Sequence, residues 1–406
     1  MSAVIIVARG QKLKLKSWVE ISQAKLRANV AAVRAAAGEG TELLAVIKAD
    51  GYGHGAELLA PVLVEAGVIW LGVGDVDEGA RVRQAVSAQN ARILIMCGLE
   101  PDDAAAVIEH SLTPVVWTPA HIEALESAAE RADVRVAVHL EIDSGMARQG
   151  AAPGEDLAAF LVALERSKRI RLEGVFSHLS SSEVRNGDQT ARQLENLERA
   201  LDQLYSSSED PPLPEWLHLA NSSALDEGST MERQRRIAED IGASLLVRPG
   251  LALYGYCLPL EEGSSQSVEL TGELRPKLQP VLTWKTRILA TRNIAAGQTV
   301  GYGAAFLAPH PMRLALLPVG YADGLRREAS SSDGWVMIAG QRARVVGRVS
   351  MNLTVVDVTE IPEAHEGAEV ILLGEGVSAA DHARWSGTIP YEILCGIRAQ
   401  RRLVET

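Results

Sequence analysis

The residues best suited to chemistry in this chain stand where short apolar runs stop. Ala45-Val46-Ile47 ends on Lys48, and Ala49-Asp50-Gly51-Tyr52-Gly53-His54-Gly55 follows at once. A lysine cannot be buried charged without a partner. An amine that loses hydration at a cavity wall becomes a nucleophile. The same kind of juncture recurs at Asp143-Ser144-Gly145-Met146-Ala147-Arg148, at Ser177-His178, at Leu219-Ala220-Asn221-Ser222-Ser223 and at Arg248-Pro249-Gly250-Leu251. Each alone reads equally well as a polar residue at a loop edge. Five at the ends of successive apolar runs point to one shared site.

The elements that must position them alternate. Strand-like runs at Leu43–Lys48, Ile69–Val73, Arg92–Met96, Thr113–Val116, Val134–Ile142, Leu172–Phe176, Trp216–Ala220 and Ser244–Arg248 are separated by stretches of helical period such as Ala56–Glu65, Pro119–Ala132, Leu157–Glu165 and Asp188–Leu204. Eight such units predict an α/β chain with a (β/α)8 TIM-type barrel. An open doubly wound sheet is the alternative, and no GxGxxG follows the first strand. In a barrel the strand ends named above share one face, and the loops after strands seven and eight commonly hold phosphate. Ser222 offers a hydroxyl, and the backbone N–H groups near Gly250 and Leu251 are accessible because glycine has no side chain. A lysine facing a phosphate pocket suggests pyridoxal 5′-phosphate held as a Schiff base.

The pattern changes after residue 260. The stretch 261–280, with Gly263-Ser264-Ser265-Gln266-Ser267 and Pro276, reads as a connector, and alternating runs then dominate. The expected organisation is a loosely ordered leader over 1–16, a barrel over 17–260, a connector over 261–280 and a mostly-β domain over 281–406. Trp18–Ile21 is strand-like and could pair with the C-terminal domain. The 406 residues exceed one ordinary core. A formal charge of −12 argues against nucleic acid as the main partner. Three scattered cysteines form no disulfide framework or zinc site and fit a reducing, cytoplasmic compartment. The nine histidines show no HExxH or HxH spacing, so no metal is expected. Neither a signal peptide nor a membrane span is supported.

From about Ser17 to Arg402 the chain resembles alanine racemase, a pyridoxal-phosphate enzyme with a barrel and a β domain. The resemblance is carried by the Lys48 segment, His218-Leu219-Ala220-Asn221-Ser222, Val247 to Gly255, Val300-Gly301-Tyr302-Gly303, Val319 to Gly324 and Gly347-Arg348-Val349-Ser350-Met351-Asn352, in order across both domains. It implies that Lys48 carries the cofactor and acts as one base. Tyr302 would be the opposite-face base, completing the partner's site in a homodimer. Arg148 would meet the substrate carboxylate, as would the backbone N–H of Met351 from the partner chain. Tyr52, Ser222, Gly250, Leu251 and Tyr391 would hold the phosphate, with Asn221 in support. Arg248 would face the pyridine nitrogen, and His178 would link Arg248 towards Tyr302. The implied reaction interconverts L- and D-alanine, supplying D-alanine for peptidoglycan.

Two positions depart from the family. Glu141 stands where many members carry a carbamylated lysine, and the expectation is that its carboxylate pairs with Arg148. Asn352 replaces an aspartate and is expected near Met351 and Arg327. A broad-specificity amino-acid racemase, a barrel-type decarboxylase and a non-catalytic cofactor-binding protein stay open as rivals. The segments around Tyr302 and Met351 favour a racemase.

Overall fold

The structure is a computed structural model describing residues 15–405, apart from 186, 210, 263–264, 271 and 331–332, with backbone alone over 265–270. The leader expected over 1–16 therefore lies almost wholly outside the described residues. The chain divides into two compact units, one holding Ser22–Val281 and the other Leu282–Arg402 with the described residues before Ser22.

In the first-named unit the expected strands close into a parallel barrel. Numbered along the chain, β1 (Ser17–Ser22) belongs up to Ile21 to the other unit, and β2 (Glu42–Val46), β3 (Trp70–Val73), β4 (Arg92–Ile95), β5 (Thr113–Val116), β6 (Val136–Glu141), β7 (Ile170–Phe176), β8 (Val184–Arg185), β9 (Trp216–His218) and β10 (Ser244–Val247) lie in this one. The barrel runs β10-β2-β3-β4-β5-β6-β7-β9. Its strands read as nearly unbroken apolar runs because parallel strands are covered on both faces; all four residues of β3 and of β5 are buried. The surrounding helices bury one stripe each. Gln23–Ala37 buries Leu26, Asn29, Val30, Val33 and Ala37, and its first turn is capped by the Ser22 hydroxyl, which accepts from the Lys25 N–H.

The connector holds more structure than its Gly/Ser content predicts. Leu260–Glu262 pairs with Ser265–Leu270 and with β8 in a small sheet. Two buried side chains then tie the segment down. Asn29 donates to the Leu253 and Gln279 carbonyls and accepts from the Gln279 N–H, while Asp226 accepts from the N–H groups of Leu274 and Arg275. Both anchors are distant in sequence, so local composition does not reveal them.

In the other unit, β1 pairs antiparallel with Leu282–Arg287. The six-stranded sheet runs Gln341–Arg344, Trp335–Ile338, Glu369–Leu373, Leu282–Arg287, β1, Gln400–Val404. A three-stranded antiparallel sheet joins Ala290–Ile294, Met312–Leu317 and Thr354–Asp357. The helix Ala379–Ser386 was not expected from periodicity, although the reciprocal bonds between Ser378 and Asp381 announce its start. Among the described residues no helix is long and apolar enough to cross a membrane.

Candidate active site

The mouth of the barrel is built from the carboxyl ends of its strands. After β2, Ile47 donates its N–H to the Gly72 carbonyl, and the chain then turns the unusual way. Ala49, Asp50, Gly51 and Tyr52 all have φ between 53° and 63°, one left-handed turn. Such backbone is costly for residues with a Cβ, and a run of it persists only where neighbours enforce it. Here Glu78 accepts from the N–H of both Asp50 and Gly74, the Asp50 carboxylate accepts from the Ala56 N–H, and Gly51 donates to Ile47. The His54 ring stacks on Tyr254 at 4.3 Å. Lys48, half-buried, leads into this turn, and the turn brings Tyr52 into the barrel's mouth.

Tyr52 faces Gly250. A Cβ at Gly250 would stand 2.5 Å from the Tyr52 hydroxyl oxygen. On the same rim the Ser222 hydroxyl accepts from the N–H groups of Gly250 and Ala252, at 3.0 and 3.1 Å. Ser222 opens the short helix Ser222–Glu227, capped by Asn221, whose side chain accepts from Ala224 and from the Ser182 hydroxyl. Leu251 begins a buried single turn, Leu251–Tyr254. The Tyr52 and Ser222 hydroxyls and the Gly250 backbone thus meet on one rim, groups of the kind that can bind a phosphate.

Arg248 is buried beneath this rim. Its guanidinium donates to the carbonyls of Ser177 (2.9 Å), His218 (2.5 Å) and Leu219 (3.2 Å), and lies 3.3 Å from His218 Nδ1 and 3.2 Å from His178 Nδ1. Burial and the nearby Glu141 and Arg148 charges leave Arg248 at about 10, below the ordinary arginine range but still cationic at neutral pH. Burial, with the charges of Arg248, Arg148 and Lys48, pushes His178 down to about 3, so its imidazole is neutral.

Glu141 ends β6 almost fully buried, and the expected direct pair with Arg148 is not what forms. Its carboxylate accepts from the Gln149 side-chain amide, while Gln149 also donates to the Met96 carbonyl. Arg148 is exposed and acts on Glu141 through its charge. The reason lies in the turn. Asp143 accepts from the N–H groups of Gly145, Met146 and Ala147, and the resulting loop turns Gln149 towards Glu141. Burial pushes the Glu141 carboxyl up, against the pull of Gln149, Arg248 and Arg148.

Sequence reasoning passed over His139, Glu173 and the role of His218. All three are buried in the barrel interior. His139 lies two residues before Glu141 on β6, and the period of two that puts both on one face was the available signal.

The β-rich unit carries the remaining candidates. Tyr302 is 70% exposed and Met351 57% exposed. Gly301, with φ of 77°, precedes Tyr302, and a Cβ there would meet the Arg348 backbone nitrogen at 2.9 Å. The loops around 301 and 348 therefore pack backbone to backbone. Asn352 donates to the Asp323 carboxylate at 3.5 Å, and Asp323 is also held by Lys16 and the Gly320 N–H. Arg327 stands in the short turn Arg327–Ser330, and Tyr391 lies half-buried in the first turn of the helix Pro390–Cys395.

Residues 21–258 match the family described as alanine racemase, N-terminal domain, and residues 281–404 match alanine racemase, C-terminal domain. The alanine racemase of Syntrophobacter fumaroxidans is 37% identical over 391 residues, covering 95% of this chain and 96% of that protein. Among solved structures, alanine racemase from Streptomyces coelicolor A3(2) is similar with a TM-score of 0.82 at 32% identity, covering 96% of this chain and 98% of its own. Alanine racemase from Bartonella henselae, with covalently bound pyridoxal phosphate, gives a TM-score of 0.78 at 25% identity, covering 97% and 100%.

Proposed function

The chain belongs to the alanine racemase family of isomerases, and from that premise we propose that it interconverts L- and D-alanine with pyridoxal 5′-phosphate, Lys48 and Tyr302 acting as the two bases. The observation that carries this reading is the close fit of Tyr52, Gly250 and Ser222 at the barrel mouth that also presents Lys48. The cofactor fits the residues present: a Cβ at Gly250 would fill the cradle, and the buried Arg248 cation suits an unprotonated pyridine nitrogen. When bound, the cofactor withdraws electrons from the amino-acid Cα and so acidifies its proton.

The chain's own groups then divide the work. Lys48 anchors the cofactor and, as a base, takes the Cα proton from one face or returns it there. Tyr302 of the partner subunit does the same on the other face, so the substrate never rotates. Arg148 and the backbone N–H of Met351 of the partner subunit receive the substrate carboxylate. Asn221 supports Ser222 in the phosphate cradle, with Leu251 and Tyr391, while His178 continues the network from Arg248 towards Tyr302. Glu141 supplies negative charge among two arginines, with Gln149 as its direct partner. Arg327 and Asn352 support the corner around Met351. The wide exposure of Tyr302 and Met351 in one chain suits a homodimer in which each copy completes the other's site. The proposed setting is the cytoplasm, with D-alanine passing to peptidoglycan synthesis.

Incubating the holoprotein with each L-amino acid in D2O tests the reading. Chiral analysis is expected to return D-alanine carrying deuterium at Cα. Exchange with another amino acid and none with alanine overturns the assignment of substrate.

A further inference from the structure

A line of polar side chains crosses the apolar interior of the barrel. Arg248 Nη1 stands 3.3 Å from His218 Nδ1, His218 Nε2 stands 2.9 Å from His139 Nδ1, and His139 Nε2 faces Glu173 Oε2 at 3.4 Å, long for a hydrogen bond. Glu173 is joined by Arg171, at 2.6 Å, and by Arg92. Arg92 opens β4 and Arg171 lies near the start of β7, so the line runs from the amino-terminal strand ends to the mouth. His139, His218 and Glu173 are each at most 1% exposed. The fold makes room for them: a Cβ at Gly174 would stand 2.5 Å from His139 Nδ1.

The two ends of this line have fixed and opposite polarity. A guanidinium can only donate, and an ionised carboxylate can only accept. His218 Nδ1, facing Arg248, must therefore be an acceptor. A neutral imidazole carries one proton, which leaves it on Nε2, where it is donated to His139 Nδ1. The His139 proton is then on Nε2, pointing at Glu173. This pattern leaves each ring a single proton, and burial lowers both imidazoles, that of His139 against the upward pull of Glu173. Burial would raise Glu173, but His139 and Arg92 outweigh it and hold its carboxyl at about 2, so it is ionised. The reverse polarity would set N–H against N–H at the arginine end and leave the carboxylate facing a lone pair.

Resting on the function proposed above, we propose that Glu173 is a positioning residue, which through His139 and His218 fixes the single tautomer that orients Arg248 at the cofactor site. Its charge is read at the mouth although it touches neither cofactor nor substrate.

The first test needs no cofactor and no activity. Histidine-selective 15N labelling of the cofactor-free protein is expected to find His139 and His218 protonated on Nε2 alone, neutral and non-titrating between about pH 6 and 9. A wild-type His218 carrying its proton on Nδ1, or charged in that range, overturns the proposal whatever the substrate proves to be. Glu173→Gln keeps the shape but can donate or accept. It is expected to let both rings exchange tautomers, to weaken pyridoxal phosphate binding about tenfold, and to lower kcat at saturating cofactor about tenfold while KM for alanine stays within about twofold. Glu173→Asp should recover the wild-type tautomers. Unchanged tautomers and kcat in Glu173→Gln also overturn it. Should Glu173→Gln fail to fold, the wild-type tautomers decide.

Discussion

The Tyr52 hydroxyl and Gly250 occupy adjoining space so closely that one added methyl group at Gly250 would lie 2.5 Å from the phenolic oxygen and 3.0 Å from the carbon bearing it. Gly250, with φ of −119° and ψ of −86°, stands outside the regions that side-chain-bearing residues prefer, so an alanine there meets both its own backbone and its neighbour. Gly250→Ala is expected to push Tyr52 aside and weaken binding of pyridoxal phosphate about tenfold or more. Titrating the apoprotein with cofactor by absorbance checks this. Wild-type affinity in the variant would remove Tyr52 and Gly250 from the phosphate cradle.

The two proposed bases should separate cleanly. Lys48→Ala is expected to lose the absorbance of covalently held cofactor on desalting, whereas Tyr302→Phe keeps it. Both should reduce racemisation by roughly two to four orders of magnitude, the usual range for a lost acid–base group. Cofactor retained through desalting by Lys48→Ala would remove the anchor assignment.

Glu141 allows a test in which stability and activity move apart. Burial raises its carboxyl above the unfolded value. A raised carboxyl contributes stability below the unfolded pKa, and that contribution is lost as pH rises through the folded value. Glu141→Gln should therefore melt no lower than wild type at pH 8, with no such advantage near pH 4. Over the same series KM for alanine is expected to rise about tenfold, through the missing negative charge beside Arg148 and Arg248. A lower melting temperature at pH 8 with unaltered KM would give Glu141 a structural role alone.

Acid should loosen the β-rich unit through Glu20. Burial alone would raise this carboxyl, but bonds from Arg402, Trp18 and Lys285 outweigh it and hold it at about 2. A depressed carboxyl contributes stability above its unfolded pKa and loses it as pH falls through the folded value. Glu20→Gln is expected to melt several degrees lower at pH 7, the gap closing between about pH 4.5 and pH 2. Calorimetry across that range checks it, and a gap that persists at pH 2 contradicts the ionic origin.

Much of the fold was legible in order along the chain. Parallel strands buried on both faces leave unbroken apolar runs, and their spacing by helical stretches limits the connections to a barrel. Glycines and polar residues clustered where those runs stop, so Lys48, Arg248 and Ser222 could be singled out one by one. Composition was a poor guide at the connector, where Asn29 and Asp226 hold Leu274, Arg275 and Gln279 from far away in sequence.

Residue types and local periods alone thus determined the barrel, the β-rich second unit and a set of polar strand ends. Tertiary structure alone decided who meets whom. Gln149, and not Arg148, reaches Glu141, because the bonds to Asp143 set the turn between them. His139, His218 and Glu173 come from three strands and looked like isolated polar residues in apolar runs. The pairing of β6 with β7 and of β7 with β9 sets these strands side by side and turns those residues into one directed line ending on Arg248. Separations of 30 to 79 positions along the chain become about 3 Å in space, and a sequence pattern with a reach of a few residues carries no trace of that.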